Sequence, residues 1–247
     1  MHYLLDTTET IAPGLGFAPF GPLHLGWLAA GVVFVLLSAV GYRRWKEPAR
    51  RRWRNGVAWL IVADELLKMA VLFAGGSWLP KYLPLHLCSI NIFIVLWYAL
   101  RPRGWVGNYL YLVCLPAAVA ALLMPTWVTL PGLALMNIHS FTIHILLAAF
   151  PLVLVLAGEI RPRWANCPRI LALLGLLAAV AVGANLLLDT NFMFLMNPDV
   201  VGLLIWFEEH WGSHLYGLAA IMAVLLVVMN IPTMVLDAKE KKEGTRG

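Results

Sequence analysis

Seven apolar runs, each about 17 or more residues long and so able to cross a hydrocarbon core of roughly 30 Å, take up most of the 247-residue chain. In lipid, every backbone N–H and C=O has to be satisfied inside the protein, which leaves helix bundles and closed barrels. Barrel strands run about 10 residues and alternate polar with apolar positions. These runs are continuous, so the reading is all-α: a polytopic membrane helix bundle of about seven transmembrane helices. The spans fall at about 23–42, 56–74, 83–100, 105–124, 138–157, 169–188 and 214–236. Pro and Gly punctuate the connections, as at Gly75-Gly76, Pro102, Pro125, Pro131-Gly132, Pro162 and Pro198.

Charge agrees with this. Only 13% of residues are charged against 61% apolar, whereas a soluble domain carries roughly a quarter charged residues to coat its surface. Residues 1–247 therefore read as one integral membrane domain: an interfacial segment at 1–22, the bundle at 23–236 and a charged tail at 237–247. The first 22 residues hold no Lys or Arg, so the first span reads as an uncleaved signal anchor.

The basic residues give the bundle a direction. They follow span one (Arg43, Arg44, Lys46, Arg50, Arg51, Arg52, Arg54), span three (Arg101, Arg103) and span five (Arg161, Arg163, Arg169), and fill the tail (Lys239, Lys241, Lys242, Arg246). Lys81 alone lies on the other side, and Lys68 lies within a span. Short loops with this bias face the cytoplasm, so the N-terminus is expected outside and the C-terminus inside, in a multi-pass protein of the cell membrane. The net charge of +5 is then a matter of topology, and no nucleic acid is expected as a partner. The expected partner is membrane lipid, and the oligomeric state stays open. Cys88, Cys114 and Cys167 fit neither a disulfide framework nor a zinc ribbon.

With this orientation, the polar residues inside the spans converge on the outer half. Span two carries Asp64, Glu65 and Lys68, with Asp64 and Lys68 at i,i+4 and able to pair. Span three enters with His86, Cys88, Ser89 and Asn91. Span five enters with Asn137, His139, Ser140, Thr142 and His144. Span six ends at Asn185 and Asp189, followed by Asn191, and the last outer connection carries Asp199, Glu208, Glu209 and His210 before His214 opens span seven. Ionisable groups at such depth are costly and suggest function, although one Asp–Lys pair is as often glue between helices. His2 and His24 read as interfacial. Trp27, Trp78, Trp105, Trp127 and Trp211 read as an interfacial belt.

Three chemistries suit these residues. A thiol nucleophile, Cys88, has His144 or His139 as its base, since a thiolate at neutral pH needs one. A zinc site has His210 and His214 at i,i+4 with His144; with Ser140 and Asp189 this resembles seven-span zinc hydrolases of the ceramidase and adiponectin-receptor type, although here the Ser/His helix is the fifth. A transport path has Asp64, Glu65 and Lys68 as its gate, but without the pseudo-repeat common in carriers.

The stretch Leu83-Pro84-Leu85-His86-Leu87-Cys88-Ser89, together with Asp64–Lys68, His144 before Pro151, Asn191 to Pro198, and His214, resembles the YwaF family of bacterial integral membrane proteins over about residues 20–236. Distant animal relatives include an acyltransferase of ether phospholipids that uses a cysteine on span three and a later histidine. The resemblance implies that His144 matches the later histidine, that His86 belongs to the Pro-x-His-Leu stretch and that His214 opens the last span. Leu85 stands where the cysteine would be, and Cys88 lies one helical turn deeper.

The expectation drawn from all this is an outward-facing polar cavity that handles a lipid by acyl transfer or ester hydrolysis and needs no cofactor. His144 is the base, Cys88 the nucleophile, and His86 and His214 orient. Asp64, Lys68, Asn91, Asn137, His139, Ser140, Asn185, Asp189 and Asn191 line the cavity. The competing class is a carrier or sensor without catalysis.

Overall fold

The computed structural model describes residues 3–244, with side chains to Ile231. His2 lies outside the described residues, and the basic side chains of the tail lie outside the described side chains. Among the described residues the structure is helical, with no strand. Helix α1 (Pro22–Arg44) begins on a proline, whose fixed φ and missing N–H suit a first turn, and ends on Arg43 and Arg44, whose charges suit the helix carbonyl end. Helix α2 (Glu47–Ala74) follows almost at once. The chain enters α3 (Leu87–Leu100) through a short turn at Pro80–Tyr82.

The next rod is α4 (Gly104–Tyr109), a widened turn at Leu110–Cys114, and α5 (Leu115–Leu123). Its cause is legible in the sequence, since Pro116 has no N–H to give to Leu112 and the ladder shifts register there. Helices α6 (Leu135–Leu156), α7 (Cys167–Leu188), α8 (Gly202–Trp211) and α9 (His214–Gly244) complete the chain.

Among the described residues, six segments are long and apolar enough to cross a membrane: Pro22–Arg44, Pro80–Leu100, Gly104–Leu123, Leu135–Leu156, Trp164–Leu188 and His214–Ile231. They coincide with six of the expected spans. Helix α2 has 28 residues, about 42 Å at 1.5 Å per residue, but it carries Asp64, Glu65 and Lys68 in mid-course.

Helix α6 is the hub. It packs against α1, α2, α3, α5 and the widened turn, and most of its side chains are buried. The core around it is Ile61, Val95, Tyr98, Leu110, Leu112, Leu147 and Phe150. Facing the other way, Leu36, Leu37, Leu66, Leu67, Leu186, Leu187 and Val227 are exposed, an apolar exterior that suits lipid rather than water.

Each end of the bundle is tied. At the Arg54 end, that side chain reaches the Tyr42 hydroxyl at 2.8 Å, Glu159 Oε1 at 2.9 Å and Glu47 Oε1 at 2.7 Å, joining α1 and α2 to the end of α6. The basic run Arg50–Arg54, expected in a connection, forms the first turns of α2, so Trp45 and Lys46 alone link the two helices. At the opposite end the N-terminal segment straps across the helix ends. Leu4 O accepts from Leu135 N at 2.9 Å, and Phe17 N donates to Val128 O at 2.9 Å. Glu9 takes hydrogen bonds from Lys81 and Tyr82.

Candidate functional site

The densest polar cluster lies where α2 meets α6. His139 Nδ1 is 3.1 Å from Asp64 Oδ2, within ion-pair distance but off the line of a hydrogen bond, and Nε2 is 3.8 Å from Glu65 Oε2. Lys68 Nζ donates to Glu65. This corrects the expected Asp64–Lys68 pair: the lysine bonds its i−3 neighbour, because Asp64 is engaged by the ring arriving from α6. The lysine is thus paired with Glu65 while the His139 ring faces Asp64, and mutual pairing is how such groups persist in an apolar interior.

Five residues further along α6 stands His144. Its Nδ1 lies 2.6 Å from the Ser140 carbonyl oxygen, which can only accept, so Nδ1 carries the proton and Nε2 keeps its lone pair. Among the described residues no hydrogen bond engages Nε2. The ring stacks on Trp127, with centroids 5.2 Å apart and planes at 10°. Trp127, expected in the interfacial belt, is a core residue at 7% exposure; the loop between Pro125 and Pro131 folds inward because its indole covers His144 and Phe141. Ser140 spends its hydroxyl on Met136 O at 2.8 Å, and Asn137 donates to Gly132 O at 3.1 Å.

On the facing helix, His86 precedes the first turn of α3, and Cys88 and Asn91 follow on one face. Cys88 makes no hydrogen bond to a histidine among the described residues. The thiols of Cys88 and Cys114 lie within electrostatic range of Tyr109, which sequence reasoning passed over: an aromatic in an apolar run carries no signal of its depth.

A loop at 190–197 covers this face. Asn185 Nδ2 donates to Phe192 O at 3.1 Å, and its Oδ1 accepts from Phe192 N at 2.7 Å and the Thr190 hydroxyl at 3.0 Å. Asp189 ends α7 in a left-handed conformation, and Asn191 closes the loop on Asn197 and Met196. Asn185, Asp189 and Asn191 therefore shape the loop. His86 packs its ring on Phe192 at 5.2 Å and takes a long hydrogen bond of 3.4 Å from Met193 N. His214 holds the other side, with Nε2 2.9 Å from Phe194 O and Nδ1 2.6 Å from Glu208 Oε2. Met193 and Phe194 both have positive φ, 59° and 54°, a strained pair of the kind found at functional sites.

The alternative zinc site is not assembled. Gly212, at φ 77°, ends α8, so His210 and His214 belong to different helices, and His210 stacks on Trp206. Among the described residues no group of three His, Cys, Asp or Glu side chains is placed to hold a metal. Helix α8 itself was unexpected in a connection read as loop; Leu204 and Phe207, at i,i+3, bury its inner face.

No curated protein and no solved structure matches the chain. A family model described as the TMEM164 family matches residues 19–230, which contain every helix packed around α6 and all the residues of the cluster, and the chain belongs to the TMEM164 family of membrane proteins.

Proposed function

We propose that this protein is a membrane-embedded enzyme that transfers or hydrolyses acyl chains of lipids, working in the outer half of a seven-span bundle with its N-terminus outside. Helix α2 is the seventh span, its charges turned toward α6 rather than lipid. The basic residues beside α1, α3 and α6 support this orientation, and the resemblance to the YwaF family supports a bacterial cytoplasmic membrane and lipid partners. The observation that carries the reading is the Nε2 of His144, free of hydrogen bonds among the described residues, beside the paired side chains of Asp64, Glu65, Lys68 and His139. A neutral imidazole with its Nδ1 proton fixed by a carbonyl is poised to take a proton at Nε2.

In this reading His144 is the general base and Cys88 the nucleophile, while His86 and His214 hold the 190–197 loop over the site. Asp64, Lys68 and His139 set the local field. Asn91, Asn137, Ser140, Asn185, Asp189 and Asn191 shape the surrounding walls. Below the cluster the core is Ile61, Val57, Ala58, Val95 and Phe150, an apolar floor that favours an enzyme over a carrier with a polar route through the bundle.

The test is lipid turnover by the purified full-length chain in vesicles containing an isotope-labelled diacyl phospholipid and a lysolipid acceptor. Labelled acyl transfer or fatty acid release is expected, falling about 10²–10⁴-fold in His144→Gln. Turnover no greater than in protein-free vesicles, or equal turnover by the variant, overturns the reading.

A further inference from the structure

Two polar side chains at the centre of the bundle are fully buried and unpaired. Among the described residues, Asn91 on α3 has neither amide atom hydrogen bonded, and the hydroxyl of Tyr109, at the end of α4, has no partner either. Buried donors without acceptors are rare in folded proteins because desolvating them is not offset. Both belong to one locality. Asn91 lies one turn beyond Cys88 on the same face of α3, and Tyr109 lies within electrostatic range of Cys88, carried there by the widened turn that packs on α3.

The chemistry of this locality is specific. It offers an amide N–H and a phenolic O–H, two thiols and no formal charge among Cys88, Asn91, Tyr109 and Cys114. Tyr109 and Cys114 belong to the same core cluster as Ile92, Val95, Leu112 and Leu147, and Cys88 packs against that cluster. A charged ligand would find no counter-ion among these groups, and a wholly apolar one would leave both donors unpaired. A neutral acceptor on a long apolar chain satisfies both conditions, and a carbonyl oxygen has two lone pairs to receive two donors.

We propose that Asn91 and Tyr109 form a carbonyl-binding subsite, in which the amide N–H and the phenolic O–H donate to the acyl carbonyl oxygen of a lipid lying beside Cys88. The inference deepens the acyl-lipid reading above and rests on it. Access is from the outer turn of α3, where His86, Cys88 and Ser89 are only partly buried. A phospholipid ester and a long-chain acyl thioester present the same acceptor, so the subsite is defined by the carbonyl.

The experiment is the thermal unfolding midpoint of the full-length protein in detergent micelles. The micelles are doped with a diacyl phosphatidylcholine, with the dialkyl ether analogue of the same chains and headgroup, or with a long-chain acyl thioester. In the wild type, the ester or the thioester raises the midpoint several degrees more than the ether, and whichever does so identifies the source of the carbonyl. Tyr109→Phe and Asn91→Leu erase that difference, with ligand-free midpoints equal to or above wild type, because the group removed had no partner to lose. If Asn91→Leu does not fold, Tyr109→Phe decides alone. The proposal is overturned if the wild type responds equally to ester, thioester and ether, or if Tyr109→Phe keeps the difference. It is also overturned if Tyr109→Phe lowers the ligand-free midpoint by several degrees, which would mean that the hydroxyl already has an internal partner. Carbonyl discrimination without lipid turnover would remove the catalytic reading and leave the subsite; turnover without discrimination would do the reverse.

Discussion

Asp64 and His139 face each other across the α2–α6 contact, carboxylate oxygen to ring nitrogen at 3.1 Å, in an interior where both side chains are about nine-tenths buried. Neither belongs to the same helix as its partner, so the pair exists only when the bundle is closed. Glu65 and Lys68 complete it from the α2 side.

Breaking this set by one member should be costly. Asp64→Asn removes the carboxylate that the His139 ring faces, and breaking a buried pair from one side costs about 3–5 kcal/mol. Asp64→Asn combined with His139→Gln should cost less than the sum of the single changes, with coupling of at least about 1 kcal/mol. Denaturant or thermal unfolding in micelles measures this, and strictly additive losses would mean that the two residues do not interact.

The N-terminal strap should loosen in acid. Burial, the largest influence on the Glu9 carboxyl, would raise its pKa, but it is outweighed by hydrogen bonds from Lys81, Tyr82, Thr8 and Thr7, which hold the value at about 2 against an ordinary 4.5. A lowered folded value means that the contribution is full above about 4.5 and lost as pH falls toward 2. Glu9 is partly exposed, so screening limits the effect to about 1 kcal/mol or less. Protease cleavage within residues 3–21 should accelerate over that acid range in the wild type. Glu9→Gln should cleave at the fast rate at every pH.

Helices α8 and α9 meet where Gly217 leaves room for an aromatic ring. A Cβ at that position would stand 2.1 Å from Cδ2 of Phe207. Gly217→Ala should therefore push α8 off α9 and cost about 1–3 kcal/mol, with Phe207→Leu restoring part of the loss. A double variant no more stable than Gly217→Ala alone would place the clash elsewhere.

Arg54 is 5% exposed and serves Tyr42, Glu47 and Glu159 at once. Arg54→Leu strands the Glu159 carboxylate and should cost about 3–5 kcal/mol. Arg54→Lys should recover only part of this, since an ammonium cannot reproduce the planar fork. Equal midpoints for the lysine variant and the wild type would show that charge alone suffices.

Much of this architecture is already present in the order of residues. Long apolar runs force helices because lipid supplies no hydrogen-bonding partners, and the chain could therefore be divided into spans whose ends the structure moves by a few residues, except that α2 begins nine residues earlier, at Glu47, and α9 runs on to Gly244. Pro116 announces the widened turn and Gly212 the break before His214. Period and chain stiffness act locally, and both are written in sequence.

What sequence alone determined was thus the long apolar helices and the shared half of the bundle into which Asp64, His86, His139, His144 and His214 enter. Tertiary structure alone decided the partners: Asp64 with His139 rather than Lys68, His144 under Trp127, His214 between Glu208 and Phe194, and Asn91 and Tyr109 left unpaired near Cys88. The physical reason is that a span is apolar whichever way it is rotated about its axis. Only the packing of α6 against its neighbours selects the rotation, and with it the few polar groups that meet.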